Sequence, residues 1–391
     1  MAGSQVEISP GALNRKLVVA GQIAFLPTGI LQTLLGPMLP ILISRWSLND
    51  TQAGNLFLVQ FLASLLGVQL SGVLLSRFGF RPAFLSGLIL MAGGAATLLM
   101  GSHTLGLLAV GAFGLGLGLI VPSDNLLIAE ISSDTGGNSR AAAVSLLNFY
   151  WGVGAVFCSL MVAWTAAHKL LPLFLYAVAA VLVVLAWGMR SLPFPEAAVR
   201  SPGSSTSWSD LARMPAIWLF AAIFFLYPGA ETAVGGWIGS YVSRVGTQGA
   251  AIASIMPAFF WSALTAGRAL GTALLRHASE SRVLRAGYAA GAFGIGLMLW
   301  APSLAGVIVG ALITGLSFST LYPITVARLS QRFGVAARSI GAVMFSLASL
   351  GPAVIPWLVG VISHNTGSLR DGLLLPLGAT LFLFFIHLFE W

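Results

Sequence analysis

Three ionisable side chains stand inside long apolar stretches of this sequence: Asp124, Glu231 and Arg268. A charge placed in hydrocarbon costs at least about 2.5–3.5 kcal/mol on insertion scales, so a residue of this kind is retained for a partner or for a task. Glu231 fits two roles. It can pair with Arg268 on the next segment and hold that region together, or it can serve as a proton or cation site that also accepts hydroxyl groups. Asp124, two residues after Pro122, either caps or pairs with a basic residue near the membrane surface or reaches into an internal cavity as a coupling group.

Neutral polar residues accompany these charges. Gln32, Asn125 and Asn148 offer amides, each both donor and acceptor, which suits paired hydroxyls on a ligand. Trp151, Tyr227, Trp237 and Tyr322 offer flat faces that suit the C–H face of a sugar ring, with core packing or an interfacial belt as their alternative use. Trp46, Trp300 and Trp391 lie at segment ends and fit the belt. The candidate substrate contacts are therefore Gln32, Asn125, Asn148, Trp151, Tyr227, Glu231, Trp237, Arg268 and Tyr322, with Glu231 and Asp124 as candidate coupling carboxyls. Arg268 is the one basic residue deep in a segment, so a multiply anionic cargo would meet a single cation. No histidine has a carboxylate or second histidine at ligand spacing, so no metal site is expected. No phosphate-binding loop and no hydrolase arrangement is recognisable, so neither ATP-driven transport nor enzyme activity is expected.

The elements that must position these residues are helices in a bilayer. Of 391 residues, 57% are hydrophobic and 8% charged, against about 25% charged in a soluble domain. A helical span needs about 20 mainly apolar residues. Twelve segments qualify: 17–44, 53–76, 82–101, 105–131, 141–166, 171–189, 216–243, 252–275, 283–300, 304–327, 340–363 and 372–389. The stretch 190–215 holds Pro193, Pro195, Pro202, Gly203 and a Ser/Thr run, a linker composition. It divides the chain into an N-terminal half, 1–189, and a C-terminal half, 216–391. The two halves echo each other at an offset of about 200 residues: Gly72 and Arg77 recur as Gly271 and Arg276, and Gly111 and Gly116 as Gly310 and Gly315. The expected fold class is an all-α membrane protein, twelve transmembrane helices in two parallel six-helix repeats, with a central cavity between the halves. The glycines before Pro122 fit either close helix packing or a bending helix at the interface, and Pro228, Pro257, Pro323, Pro352 and Pro356 offer similar breaks in the second half.

Charge sets the orientation. Fourteen of the nineteen Lys and Arg residues fall on one side, from Arg15 and Lys16 to Arg338. Arg45, Lys169, Arg244 and Arg370 fall on the other. By the positive-inside rule both termini and the linker are expected in the cytoplasm, in a multi-pass protein of the plasma (inner) membrane. The net charge of +8 is spread over segment ends, which fits anionic lipid and not a nucleic-acid partner. Cys158, the one cysteine, excludes a disulfide framework. The polar stretch Met1–Leu17 has no cleavable apolar region, so the first span is expected to be retained.

The decapeptide from Gly72 to Arg81 resembles the loop motif of the major facilitator superfamily: Gly72, Leu74, Arg77, Gly79 and Arg81 fit, and Ser76 stands where the motif has aspartate. A charge relay at the cytoplasmic face normally uses that acid, so a weaker latch is implied. The second half, from about Phe224 to Leu377, resembles the fucose permease-like branch, the fucose–galactose–glucose:proton symporters. The residues that carry it are Phe225 to Glu231, Gly267 to Thr272, Tyr322-Pro323, and Gly360 to Ser363 with Gly367. The resemblance implies alternating access, a monosaccharide cargo, a monomer, no cofactor beyond a coupling H⁺ or Na⁺, and a cavity asparagine at Asn125. Family members carry coupling acids in the first and fourth helices; here those positions are Gly36 and Val121. Two other readings stand beside it: an exporter of lipophilic, drug-like molecules, and a non-transporting membrane receptor or scaffold. The amides argue against the first and the lack of a soluble output domain against the second.

Overall fold

A computed structural model describes residues 10–131, 137–192, 194–195, 213–245, 249–334 and 337–389. The linker expected at 190–215 lies largely outside the described residues. The N-terminal helices are α1 (Pro10–Thr33), α2 (Leu35–Trp46), α3 (Asp50–Phe78), α4 (Phe80–Thr97), α5 (His103–Ile131), α6 (Gly137–Ala167) and α7 (Leu171–Met189). They are followed by α8 (Pro215–Val245), α9 (Gly249–His277), α10 (Glu280–Trp300), α11 (Leu304–Phe318), α12 (Leu321–Phe333), α13 (Ala337–Thr366) and α14 (Leu369–Ile386). Apart from α2, which lies mainly on α8 and α9, helices α1 to α7 pack chiefly on one another, and α8 to α14 do the same.

Ten spans, counting Leu304–Phe333 as one, are long and apolar enough to cross a bilayer, and the bent pair α1–α2 makes eleven. The remaining expected span is α9. At 29 residues and about 1.5 Å per residue it is long enough, and it carries Ser254, Ser262, Thr265 and Arg268 along its length.

Two breaks that hydropathy does not show have proline causes. Proline has no N–H and clashes with the carbonyl four residues back. Pro37 does this to Thr33, and the first span bends by 41° between α1 and α2. Pro323 does it to Ser319, where α11 gives way to α12. The fourth span behaves otherwise. Helix α5 runs through Pro122 from His103 to Ile131 without interruption. Its glycines serve the close packing their spacing suggested: a Cβ on Gly116 would lie 2.6 Å from the carbonyl oxygen of Gly87 on α4. Lipid tails provide no hydrophobic drive between helices, so close backbone approach of this kind is what holds them together.

The halves meet along α3 with α13, α6 with α9, and α2 with α8 and α9. The contacts concentrate at the end of the molecule that carries Asp50, called here the Asp50 face. Asp50, at the start of α3, takes a bidentate ion pair from Arg244 at the end of α8, one arm at 2.7 Å. It also accepts from the Ser363 hydroxyl of α13 at 2.5 Å. Below that cluster, Phe57 of α3 packs against Trp237 of α8 with ring centroids 6.1 Å apart. Trp237 is fully buried and donates its Nε1–H to the Pro356 carbonyl at 2.9 Å. Gly36 of α2 lies so close to α8 that an added Cβ would sit 2.7 Å from the Gly235 carbonyl oxygen. The position where the resembled branch carries an acid therefore has no room for one here.

The opposite end carries Arg77, Arg81 and Arg328. Gln69 of α3 donates to the Ser346 hydroxyl of α13 at 3.2 Å, the cross-half hydrogen bond nearest this end among the described residues. Among the described residues, the loop motif makes no hydrogen bond or ion pair to the second half. The Ser76 hydroxyl bonds its own helix at Val73, and Arg81 donates to the Leu192 carbonyl at 2.8 Å, tying α4 to the chain leaving α7. Gly79 joins α3 to α4 with φ +76°, a backbone conformation that favours glycine, and Gly72 has open space around it. The molecule is sealed at the Asp50 face by Asp50, Arg244 and Ser363, at the end opposite the loop motif.

Gly36→Asp is expected to hold the Asp50 face open. A cysteine replacing Thr232 would then react with a membrane-impermeant thiol reagent applied to that face, and would stay protected with Gly36 intact. Equal protection in both would contradict the seal described here.

Candidate substrate site

Between the seal and the opposite end, side chains from both halves converge. Gln32, at the end of α1, accepts the Trp151 indole N–H of α6 at 3.0 Å. The Gln32 backbone carbonyl accepts from the Gln60 amide at 3.0 Å. Across the interface, Trp151 meets Trp261 of α9 edge to face, centroids 5.6 Å apart. The Arg268 guanidinium lies over the Trp151 ring, 5.2 Å from its centroid, a cation–π contact between the halves. A small cavity beside them is lined by Gln32, Thr33, Phe57, Thr232 and Trp261.

On the C-terminal side, Tyr227 and Glu231 lie four residues apart on α8, one helical turn, and their side chains hydrogen-bond. The Tyr227 hydroxyl also stands 2.7 Å from the Phe318 carbonyl oxygen. That carbonyl ends α11 and lacks a helical partner because of the break before Pro323. Tyr322 stacks on Tyr227 at 6.4 Å and 25°. The expected buried pair of Glu231 with Arg268 does not form. Among the described residues the ion pairs are Arg244–Asp50 and Arg328–Glu280, and Glu231 is turned toward Tyr227 instead.

Several buried polar atoms at this interface have no protein partner: Gln60 Oε1, Trp261 Nε1 and Thr265 Oγ1. A buried group without a partner costs about 1–3 kcal/mol, which makes such atoms candidates for ligand contact. Gln60 and Thr265 were not among the expected contacts. An amide in a span was the only available signal for Gln60, and for Thr265 there was none. Asn125 and Asn148 are part-buried and back-bond their own helices, to Val121 at 2.8 Å and Val144 at 2.9 Å. Their side-chain oxygens are left for other partners. Trp237 belongs to the seal and does not line this cavity.

Asp124 is fully buried on α5 against Gly21 of α1, where a Cβ would collide with its carboxyl. Neither carboxyl oxygen has a partner. The expected capping or pairing with an arginine at the membrane surface is therefore not what the structure contains: burial between two helices keeps cations away.

The sequence of residues 23–356 matches the family model of the Major Facilitator Superfamily. The chain belongs to the Major Facilitator Superfamily. Its members here are transporters, and this chain is a membrane transporter and not an enzyme. An uncharacterized transporter of this type from Yersinia pestis is 24% identical over 366 residues, 92% of each chain. A bacterial homolog of the human lysosomal transporter Spinster, inward-facing and unoccupied, superposes with a TM-score of 0.74 at 15% identity, covering 97% of this chain and 96% of its own. The fucose transporter FucP, in its outward conformation, gives 0.65 at 18% identity, covering 96% and 98%. A nucleoside transporter, a xylose transporter and an organic anion transporter share the fold, so the architecture by itself does not choose a cargo.

Replacing Asp124 by Leu removes an uncompensated buried polar group and is expected to raise the thermal unfolding temperature by a few degrees. An unchanged or lowered temperature would mean that the carboxyl has a stabilising partner.

Proposed function

We propose that this transporter carries a small hydroxylated solute of monosaccharide size, a hexose in the simplest case, by alternating access between its two halves. The observation that carries the proposal is the cross-half constellation of Gln32 and Trp151 with Trp261, Arg268, Tyr227 and Glu231. It combines amide, hydroxyl and aromatic faces, and unspent buried polar atoms flank it. The likeness of the second half to the fucose permease-like branch supports the same reading. Trp151 and Trp261 supply faces for the ring, and Gln32, Gln60, Asn125 and Asn148 supply hydroxyl partners. The coupling ion is H⁺ or Na⁺, with Glu231 and Asp124 as the carboxyls that would carry it.

By the positive-inside rule, the fourteen basic residues on one side favour cytoplasmic termini, an outward-facing Asp50 end and a plasma-membrane location. In that orientation the seal closes the outer side and the site communicates inward. Both halves of the proposed site lie in one chain, which is consistent with a monomer as the working unit. An exporter of lipophilic cargo would want an apolar cavity, and the amides stand against it.

Uptake of labelled glucose, galactose and fucose into proteoliposomes, with and without an imposed pH or Na⁺ gradient, tests the proposal. Accumulation driven by one gradient, reduced at least tenfold in Glu231→Gln, is the expected result. Equilibration without accumulation in the wild type would remove the coupling role. Efflux of lipophilic dyes with no sugar flux would overturn the cargo.

A further inference from the structure

Trp151 is the central stacking surface of the site, yet its ring is enclosed: the residue is 8% exposed. Its indole N–H is taken by Gln32 at 3.0 Å. Trp261 meets the ring edge to face at 5.6 Å, and the Arg268 guanidinium lies over it at 5.2 Å. Trp261 and Arg268 are seven residues apart on α9, so they reach the ring from one face of that helix. A sugar ring can stack on Trp151 only when one of these neighbours leaves.

The other groups around the ring are fixed. The Trp151 backbone abuts Gly29 of α1, where there is no room for a Cβ. Gln32 is held by Trp151 and, through its backbone carbonyl, by Gln60. Trp261 is 5% exposed, and a Cβ on Gly235 of α8 would sit 2.7 Å from its ring. Arg268 is the movable one. It is part-buried, it stands on a flexible methylene stem, and a cation–π contact sets no fixed direction as a hydrogen bond does.

The guanidinium also has a second place to rest. Arg268 and Glu231 of α8 attract each other, and Tyr227 and Tyr322 lie in the field of both charges. The two are not in contact, since the ion pairs among the described residues are Arg244–Asp50 and Arg328–Glu280. A guanidinium leaving Trp151 would meet a carboxyl that suits its planar fork. Its departure would also open the Thr265 hydroxyl, which shares this face of α9 and has no partner. A Cβ on Gly152, next to Trp151, would lie 2.6 Å from that hydroxyl.

We infer that Arg268 is an internal competitor for the sugar: its guanidinium covers the Trp151 ring, and a bound hexose displaces it onto Glu231. This rests on the proposed hexose cargo and adds the residue that limits its affinity. Arg268 rests on the ring and not on Glu231, so the displacement costs free energy and weakens sugar binding. It also breaks one tie between the halves as the sugar makes its own, so the ligand bridges α6 and α9 in place of the cation–π contact.

Equilibrium binding of labelled galactose, glucose and fucose to the purified full chain tests this. Arg268→Gln is expected to lower the dissociation constant about threefold or more, a gain that a merely structural residue would not give. Glu231→Gln removes the destination. It is expected to raise the constant about threefold or more, but less than about twofold when Arg268→Gln is already present. Should Arg268→Gln not fold, the structure of the wild type with sugar decides. A guanidinium paired with Glu231 is expected there, and one still over Trp151 would overturn the inference. Equal or weaker binding by folded Arg268→Gln, or an undiminished Glu231→Gln effect in the double variant, would overturn it and leave the sugar reading standing. No saturable binding of any of the three sugars to the wild type would overturn both.

Discussion

Asp50 is the point at which the two halves of this transporter are tied. Its carboxylate takes Arg244 from α8 and Ser363 from α13, so one side chain of the first half grips two helices of the second. Alone, such a pair half-open to water contributes little, about 0–1 kcal/mol. Its effect depends on what lies beneath it. Gly36 against Gly235, and Phe57 against Trp237, bring the backbones close enough to exclude water. A seal that is geometric rather than strongly bonded can be opened by a modest bias, and alternating access requires that property.

The closed face fixes what the centre of the molecule can do. Helices α6 and α9 meet at Trp151, Trp261 and Arg268, and α1 brings Gln32 to the same place. No single half contains a complete site. A ligand bound there touches both halves, and a rocking of one half against the other changes its contacts. The helix breaks serve this arrangement. Pro37 bends the first span so that α2 lies on α8, and the break between α11 and α12 leaves the Phe318 carbonyl to Tyr227, which in turn contacts Glu231.

Much of this was legible in the sequence. Runs of about 20 apolar residues report a bilayer directly, because the solvent acts on every position along them. The family motif, the repeat and the unusual Arg268, Glu231 and Trp151 stood out because polar groups are rare in hydrocarbon. The pairings were less legible. Which way a side chain points changes by about 100° per residue along a helix, and which helices touch across the halves is set by the whole bundle. Glu231 was matched to Arg268 by charge, while the one-turn spacing to Tyr227 held the actual partner. Arg244 counted only as a charge at a span end and Asp50 drew no reading, since nothing local reveals that they meet. Asp124 read as interfacial from its place near a helix end, whereas the packing of α1 on α5 encloses it.

Alternation between the two faces is the central claim, and distances between spin labels test it most directly. Ser47 and Val245 are exposed near the Asp50 face, on the two halves, and Phe78 and Leu275 are exposed at the opposite end. Labels on each pair, read by pulsed electron resonance in nanodiscs, should give two populations. When one distance lengthens on Arg244→Ala or on a change of pH, the other should shorten. A single unchanging distance at both faces, in protein that transports, would contradict the account.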